Sequence, residues 1–267
     1  MPEMLPFCDR RFRIARIANK TCVNAETVFI GALEECVVLQ MQQRCDGSGH
    51  GDCQMGCNFF WKAQWLNIVD GPGETAVETE TTGQTLVQLT SLAAIGENRY
   101  RCQATQLEKI ATPVSVGQLG QYVHDYRSGV PASSIAKFFT GLATRKLLGI
   151  SDSIQGSCNV RTPASDLQLA VGDSVKVKSM QEIQETLDKN GCNRGLWFDP
   201  AEMKPFCGKT MVVSRIVKRL INEQSGDLRH MRVPAVVLSE TECSGVFRRF
   251  CSRGMLHFWR EIWLEKA

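Results

Sequence analysis

Cys45-Asp46-Gly47-Ser48-Gly49-His50-Gly51-Asp52-Cys53, followed by Phe60-Trp61 and Trp65-Leu66, is the stretch whose reading decides this chain, because its pattern occurs twice. Cys243-Ser244-Gly245, Cys251, Phe258-Trp259 and Trp263-Leu264 repeat it at one constant offset. Cysteine and tryptophan are rare residues, so two of each at fixed spacing point to an internal repeat rather than coincidence. A second block agrees: Glu3-Met4-Leu5-Pro6-Phe7-Cys8 returns as Glu202-Met203-Lys204-Pro205-Phe206-Cys207, and each copy runs into a basic, apolar-alternating segment. A one-residue length change between the blocks brings Val37-Val38-Leu39 onto Ala235-Val236-Val237.

Within each copy the pattern is of short strands separated by polar turns: Arg11 to Ala18 and Val37 to Met41 in the first, Thr210 to Val217 and Val233 to Leu238 in the second. Leu167 to Lys178 adds a strand after the turn at Gly172-Asp173, and Met180 to Leu187 reads as a short amphipathic helix closed by Asn190-Gly191. Between the copies, Val116 to Tyr126 and Ser133 to Leu148 have helical spacing, with Gly149 as a stop, and Gly71-Pro72-Gly73 and Ser151 to Ser165 read as linkers. The expected fold is mainly β with a helical connector: two SH3-like small β-barrel modules related by internal duplication. Residues 1–70 form the first module, 71–165 the linker and helical connector, and 166–267 the second module. The first module lacks the strand that precedes Pro-Phe-Cys in the second. Either the chain is shortened there or connector residues such as Thr85 to Leu92 cover the open edge, since an unpaired edge invites aggregation.

The composition narrows the function classes. With 267 residues, 43% apolar and 22% charged, the chain supports ordinary hydrophobic cores. A net charge of +3 with mixed signs gives no nucleic-acid-binding stripe and no polybasic membrane tail. The short run Arg10, Arg11, Arg13, Arg16 reads as a solvated strand edge. No apolar run is long enough for a signal peptide or a spanning helix, so the expectation is a cytoplasmic protein that binds neither nucleic acid nor membrane. Twelve cysteines in a reducing compartment point to metal or redox chemistry, with a secreted disulfide framework as the rival.

Three cysteines recur in each copy: Cys8, Cys45 and Cys53, and Cys207, Cys243 and Cys251. Converging thiolates repel unless a cation neutralises them, which makes these candidate ligands of a soft metal or a cluster. The first copy adds Cys57 and His50 in a glycine-rich loop, whereas the second has Met255 and Arg248 at those places. Four thiolates suit a closed zinc site or a four-cysteine cluster. Cys102 and Cys22 are further candidates for a missing ligand or a reactive thiol. Cys36 and Cys158 read as core residues, and Trp61, Trp65, Trp259 and Trp263 as core and barrel-closing residues rather than a base-stacking platform. Asn193 to Asp199 reads either as a groove lining or as a structured turn into the Cys207 loop. Neither paired C-x2-C knuckles nor a ferredoxin-type cysteine run occurs, and no nucleotide-binding or hydrolase motif is present.

Through RCDGSGHGDCQMGCNFFWKAQWL, YRCQAT, NRGLWFDPAEMKPFCGKT and FCSRGMLHFWREIWLE, the chain resembles a group of uncharacterised bacterial proteins that share these blocks along most of its length. The resemblance places Cys22, Cys45, Cys53, Cys57, Cys102, Cys207, Cys243 and Cys251 in shared blocks, marks His257 as peculiar to this chain, and implies residues ahead of the first Pro-Phe-Cys in relatives. It brings no activity. The functional expectation is an iron–sulfur protein, with a 4Fe-4S cluster, that acts in sulfur transfer, redox or lyase-type chemistry of a biosynthetic pathway on a small-molecule substrate. The alternative is a non-enzymatic zinc-stapled scaffold for a partner protein.

Overall fold

The computed structural model describes residues 1–23, 29–40, 44–69, 83–148, 154–158 and 161–267. The linker expected at Gly71-Pro72-Gly73 and the helix stop at Gly149 lie outside the described residues. The chain divides into two compact units: Met1–Phe138 with Arg219–His230 and Ser244–Met255, and Phe139–Lys218 with Met231–Cys243 and Leu256–Ala267.

The first unit starts with a 3-10 turn, Pro2–Phe7, and continues through β1 (Ile14–Ile17), β2 (Lys20–Cys22), β3 (Ile30–Ala32), β4 (Cys36–Leu39) and β5 (Trp61–Lys62). Next come α1 (Gly83–Ala93), the hairpin β6 (Ala94–Gly96) and β7 (Arg99–Tyr100), α2 (Gln103–Ile110), β8 (Thr112–Pro113) and α3 (Gly120–Arg127), then the start of α4 (Ala132–Leu148). Two small antiparallel sheets carry the unit, ordered β1-β4-β5 and β2-β3-β8. The central strand β4 explains its own sequence. Successive side chains of a strand face opposite sides, and here Cys36 and Val38 enter one core with Leu33, Phe60 and Leu107, whereas Val37 and Leu39 enter another with Met4, Phe59 and Trp61. Both faces are covered, so the strand is apolar throughout instead of alternating.

The second unit contains β9 (Ser174–Val177), α5 (Met180–Glu185), β10 (Cys192–Asn193), β11 (Leu196–Trp197), α6 (Pro200–Met203) and β14 (Leu264–Lys266). Two long strands, β12 (Thr210–Ile221) and β13 (Leu228–Leu238), run from it into the first unit, and the sheet order is β13-β12-β9-β14. The alternation Ser174-Val175-Lys176-Val177 is exposed–buried–exposed–buried, as expected of a strand with one face on a core. Ser179 caps α5 by the reciprocal bonding in which Glu182 N–H donates to the Ser179 hydroxyl and Ser179 N–H and hydroxyl donate to the Glu182 carboxylate. Val175, Val177, Ile183, Leu187, Phe198, Trp259, Trp263 and Leu264 form one core.

Small antiparallel sheets with helices between them thus match the mainly-β expectation. Thr85 to Leu92, offered as cover for the open edge, lies within the helix α1; among the described residues the connector strand that joins a sheet of the first unit is β8, on β3. Trp65 is not a core residue. It is 61% exposed, whereas its sequence counterpart Trp263 is fully buried. Trp263 packs edge-on against Phe198 with ring centroids 5.3 Å apart and donates its indole N–H to Thr186 at 3.0 Å. Those partners come from the segment ahead of the second Pro-Phe-Cys.

Local geometry recurs at matched positions. Val37 pairs with Trp61 in β4–β5, whereas Trp259 bridges to Val236, one place beyond Ala235, the residue matched to Val37. Gly47 and Gly245 have φ of +77° and +75°, and in each a Cβ would stand 2.2 or 2.1 Å from the carbonyl oxygen of Cys53 or Cys251, so only glycine closes these loops.

Candidate metal centre

The first cysteine loop is built so that its thiols face inward. Gly47 makes the tight turn, His50 N–H bonds back to Gly47 O, and Cys45 N–H bonds to Cys57 O at 3.0 Å, closing the loop on itself. Cys45, His50, Cys53 and Cys57 line one cavity, and Cys102 joins them from the residue that opens α2. Thr105 fixes that corner: the Cys102 N–H donates to its hydroxyl at 3.1 Å, and the hydroxyl donates to the Cys102 carbonyl at 2.9 Å. All of these residues belong to the first unit.

Glu3, Cys45 and His50 form the tightest group, with ligand atoms within 4.8 Å of one another and all three residues buried. Glu3 Oε1 lies 2.5 Å from His50 Nδ1 and accepts the Gly49 N–H at 2.9 Å, while His50 Nε2 lies 3.8 Å from the Cys45 sulfur. Glu3 Oε2 is buried without a hydrogen-bond partner. Burial opposes a charged His50, but hydrogen bonding with Cys45, Cys53 and Glu3 outweighs it and raises the imidazole pKa. Two further thiols of the cavity behave oppositely. Burial pushes Cys57 up to about 12 against the charge of Arg253, and it raises Cys102 against the nearby His50. Buried thiols of this kind become thiolates when a cation is present to neutralise them. The arrangement is that of a candidate metal site.

The second loop is placed differently. Cys251 is buried in the first unit, where its sulfur accepts the N–H of Cys22 at 3.0 Å and of Arg253 at 3.4 Å. Cys207 and Cys243 belong to the second unit. Cys8 is exposed, its thiol directed at Met4 O at 3.9 Å, and it does not line the cavity. Cys36 is buried in a core with its pKa raised by burial. Cys158 is partly exposed and bonds to Glu185 O.

A reciprocal exchange underlies both loops. Gln54 N–H donates to Arg219 O and Ile221 N–H to the Cys53 sulfur; at the matched places Ser252 N–H donates to Lys20 O and Cys22 N–H to the Cys251 sulfur. Each loop therefore bonds to the strand that belongs, by sequence, to the other copy. The sequence carried no signal of this, because both partners are backbone groups some two hundred residues away. Glu3 was legible in principle, as it opens the repeated block that Glu202 opens in the second copy, where Glu202 stands 3.9 Å from His257. Arg253 and Glu223, a buried ion pair with Glu223 on the cavity wall, gave no motif.

No protein-family model matches the chain, and no curated protein sequence matches it. What stands is a cysteine-rich chain with a candidate metal site, in which no helix of the described residues is long and apolar enough to cross a membrane.

Proposed function

We propose that the chain is an iron–sulfur protein whose first unit holds a cluster on Cys45, Cys53, Cys57 and Cys102, with a redox or sulfur-transfer role. The observation that carries this reading is that these four thiols line a single cavity. A zinc ion draws four sulfurs to about 2.3 Å, hence to within roughly 4 Å of each other. A four-iron cluster takes one thiolate per iron and spreads the four further apart. Here the compact group includes the thiol of Cys45, Cys53 also bonds to His50, and Cys57 and Cys102 line the same cavity, a donor set that a cluster could use. The matched glycine turns and the matched hydrogen bonds of Cys53 and Cys251 support reading the two blocks as copies of one small β-module, of which only the first keeps a full ligand set.

A second reading rests on the compact group itself: Glu3, Cys45 and His50 as a mixed-donor zinc site that staples the N-terminal turn to the cysteine loop. Anaerobic purification with iron, sulfide and zinc analysis separates the two. The cluster reading expects a coloured protein in which Cys102→Ser and Cys57→Ser each lose the visible absorption while Cys192→Ser keeps it. A colourless protein with stoichiometric zinc, lost in Glu3→Gln but retained in Cys102→Ser, overturns it in favour of the staple.

A further inference from the structure

The exchange between loops leaves one product that the metal site does not use. At the position where Cys53 meets the backbone of Ile221, the second loop brings Cys251 against Cys22, so two cysteines 229 residues apart meet inside the first unit. Both carry thiols in this structure. The Cys251 sulfur is buried and fixed by two backbone N–H donors. Cys22 is partly exposed at the end of β2. Arg253 locks the pair together: its guanidinium donates to the Cys22 carbonyl at 3.1 Å and is held by the buried carboxylate of Glu223. We infer that Cys22 and Cys251 form a redox-active dithiol that reduces a low-molecular-weight disulfide, with Cys22 as the attacked-from, accessible thiol and Cys251 as the resolving one.

The chemistry is thiol–disulfide exchange. Cys22 passes its proton to the Cys251 thiolate and attacks one sulfur of a small disulfide RSSR; that S–S bond breaks and the first leaving thiolate takes the proton from Cys251 to depart as RSH. Cys251, as thiolate, then attacks the Cys22 sulfur, the mixed disulfide breaks and the second RSH leaves. Two protein thiols are oxidised to one Cys22–Cys251 disulfide and RSSR is reduced to two thiols, with the two protons passing to the leaving groups. The local field holds the charge of the resting pair on Cys251. The hydrogen bond from the Cys22 thiol, then the N–H groups of Arg253 and Cys22 and the Arg253 charge, outweigh burial and lower the Cys251 pKa. The pair stands whether or not the neighbouring cavity holds a metal, and its loss is read independently of that site.

The test uses the full-length protein and oxidised glutathione. It is equilibrated over graded ratios of reduced to oxidised glutathione, quenched in acid, blocked with N-ethylmaleimide and mapped by peptide mass spectrometry. The expected product is a Cys22–Cys251 cross-link that appears as one two-electron step, in which tenfold in the equilibrium constant corresponds to about 30 mV. In Cys251→Ser, glutathione stays on Cys22; in Cys22→Ser, neither adduct nor cross-link forms at this pair. A stable glutathione adduct on Cys22 of the unmodified protein overturns the inference. So does a cross-link from Cys22 to another cysteine, or a failure of Cys22 to react at ratios that modify the exposed Cys8. If a serine variant does not fold, the cross-link in the unmodified protein decides alone.

Discussion

Gly47→Ala tests the loop closure from which the candidate metal site is built. Gly47 sits at φ +77°, where an L side chain costs about 1–2 kcal/mol from Cβ crowding alone. The added Cβ would also lie 2.2 Å from the Cys53 carbonyl oxygen and 2.4 Å from its nitrogen. Backbone cannot yield there cheaply, because the Cys45–Cys57 and Gly47–His50 hydrogen bonds close the loop on either side. Adding the roughly 1–3 kcal/mol of an overpacked contact gives about 3 kcal/mol in total. If Cys53 reacts only when the loop opens, that raises its alkylation rate by roughly a hundredfold. The assay is timed alkylation of the native protein, read at Cys53 by mass spectrometry. Two controls separate the causes. Gly117→Ala has ordinary φ and nothing within 4 Å, so it leaves stability unchanged; Gly129→Ala has φ +98° with nothing within 4 Å and bears the backbone strain alone. A Gly47→Ala protein whose Cys53 reacts within about threefold of the parent rate, or whose thermal stability equals that of Gly117→Ala, refutes the reasoning.

Lys20→Met removes the cation of a buried ion pair, Lys20 Nζ to Asp125 at 2.6 Å, and leaves Asp125 with the Asn19 amide as its remaining side-chain donor; chemical denaturation should show a loss of about 3–5 kcal/mol, largely restored by adding Asp125→Leu. A single-variant loss below about 1 kcal/mol would show that the pair is not desolvated. The Glu182 carboxylate is held below its ordinary value by hydrogen bonds from the Ser179 hydroxyl and N–H. Its contribution to α5 is therefore complete above the unfolded value of 4.5 and disappears as pH falls through the lowered folded value. A carboxyl NMR titration of Glu182 checks this, and Ser179→Ala should return the midpoint towards 4.5.

The local elements were legible because they rest on near neighbours. The helices expected at Met180 to Leu187, Val116 to Tyr126 and Ser133 to Leu148 occur as α5 (Met180–Glu185), α3 (Gly120–Arg127) and α4 (Ala132–Leu148). The strands expected from Val37 and Thr210 occur as β4 and β12. One failure has a spatial cause. Trp65 shares its neighbours with Trp263 in sequence but not in space: Trp263 packs on Phe198 and Thr186, whereas Trp65 is 61% exposed. Thr85 to Leu92, offered as cover for an open edge, is part of the helix α1.

The sequence by itself determined that one cysteine- and tryptophan-bearing pattern occurs twice, and that the first loop, with Cys45, His50, Cys53 and Cys57, is the richer in ligands. Rare residues at fixed spacing and glycines that permit positive φ are local facts, and a one-dimensional string records them. Which thiols meet was decided only in three dimensions. Cys102 reaches the first loop through a helix start, and Cys22 reaches Cys251 because each loop bonds to the other copy's strand. Those bonds run between backbone N–H groups, carbonyls and sulfur. Backbone groups are the same at every residue, so no pattern of side chains could have named the partner.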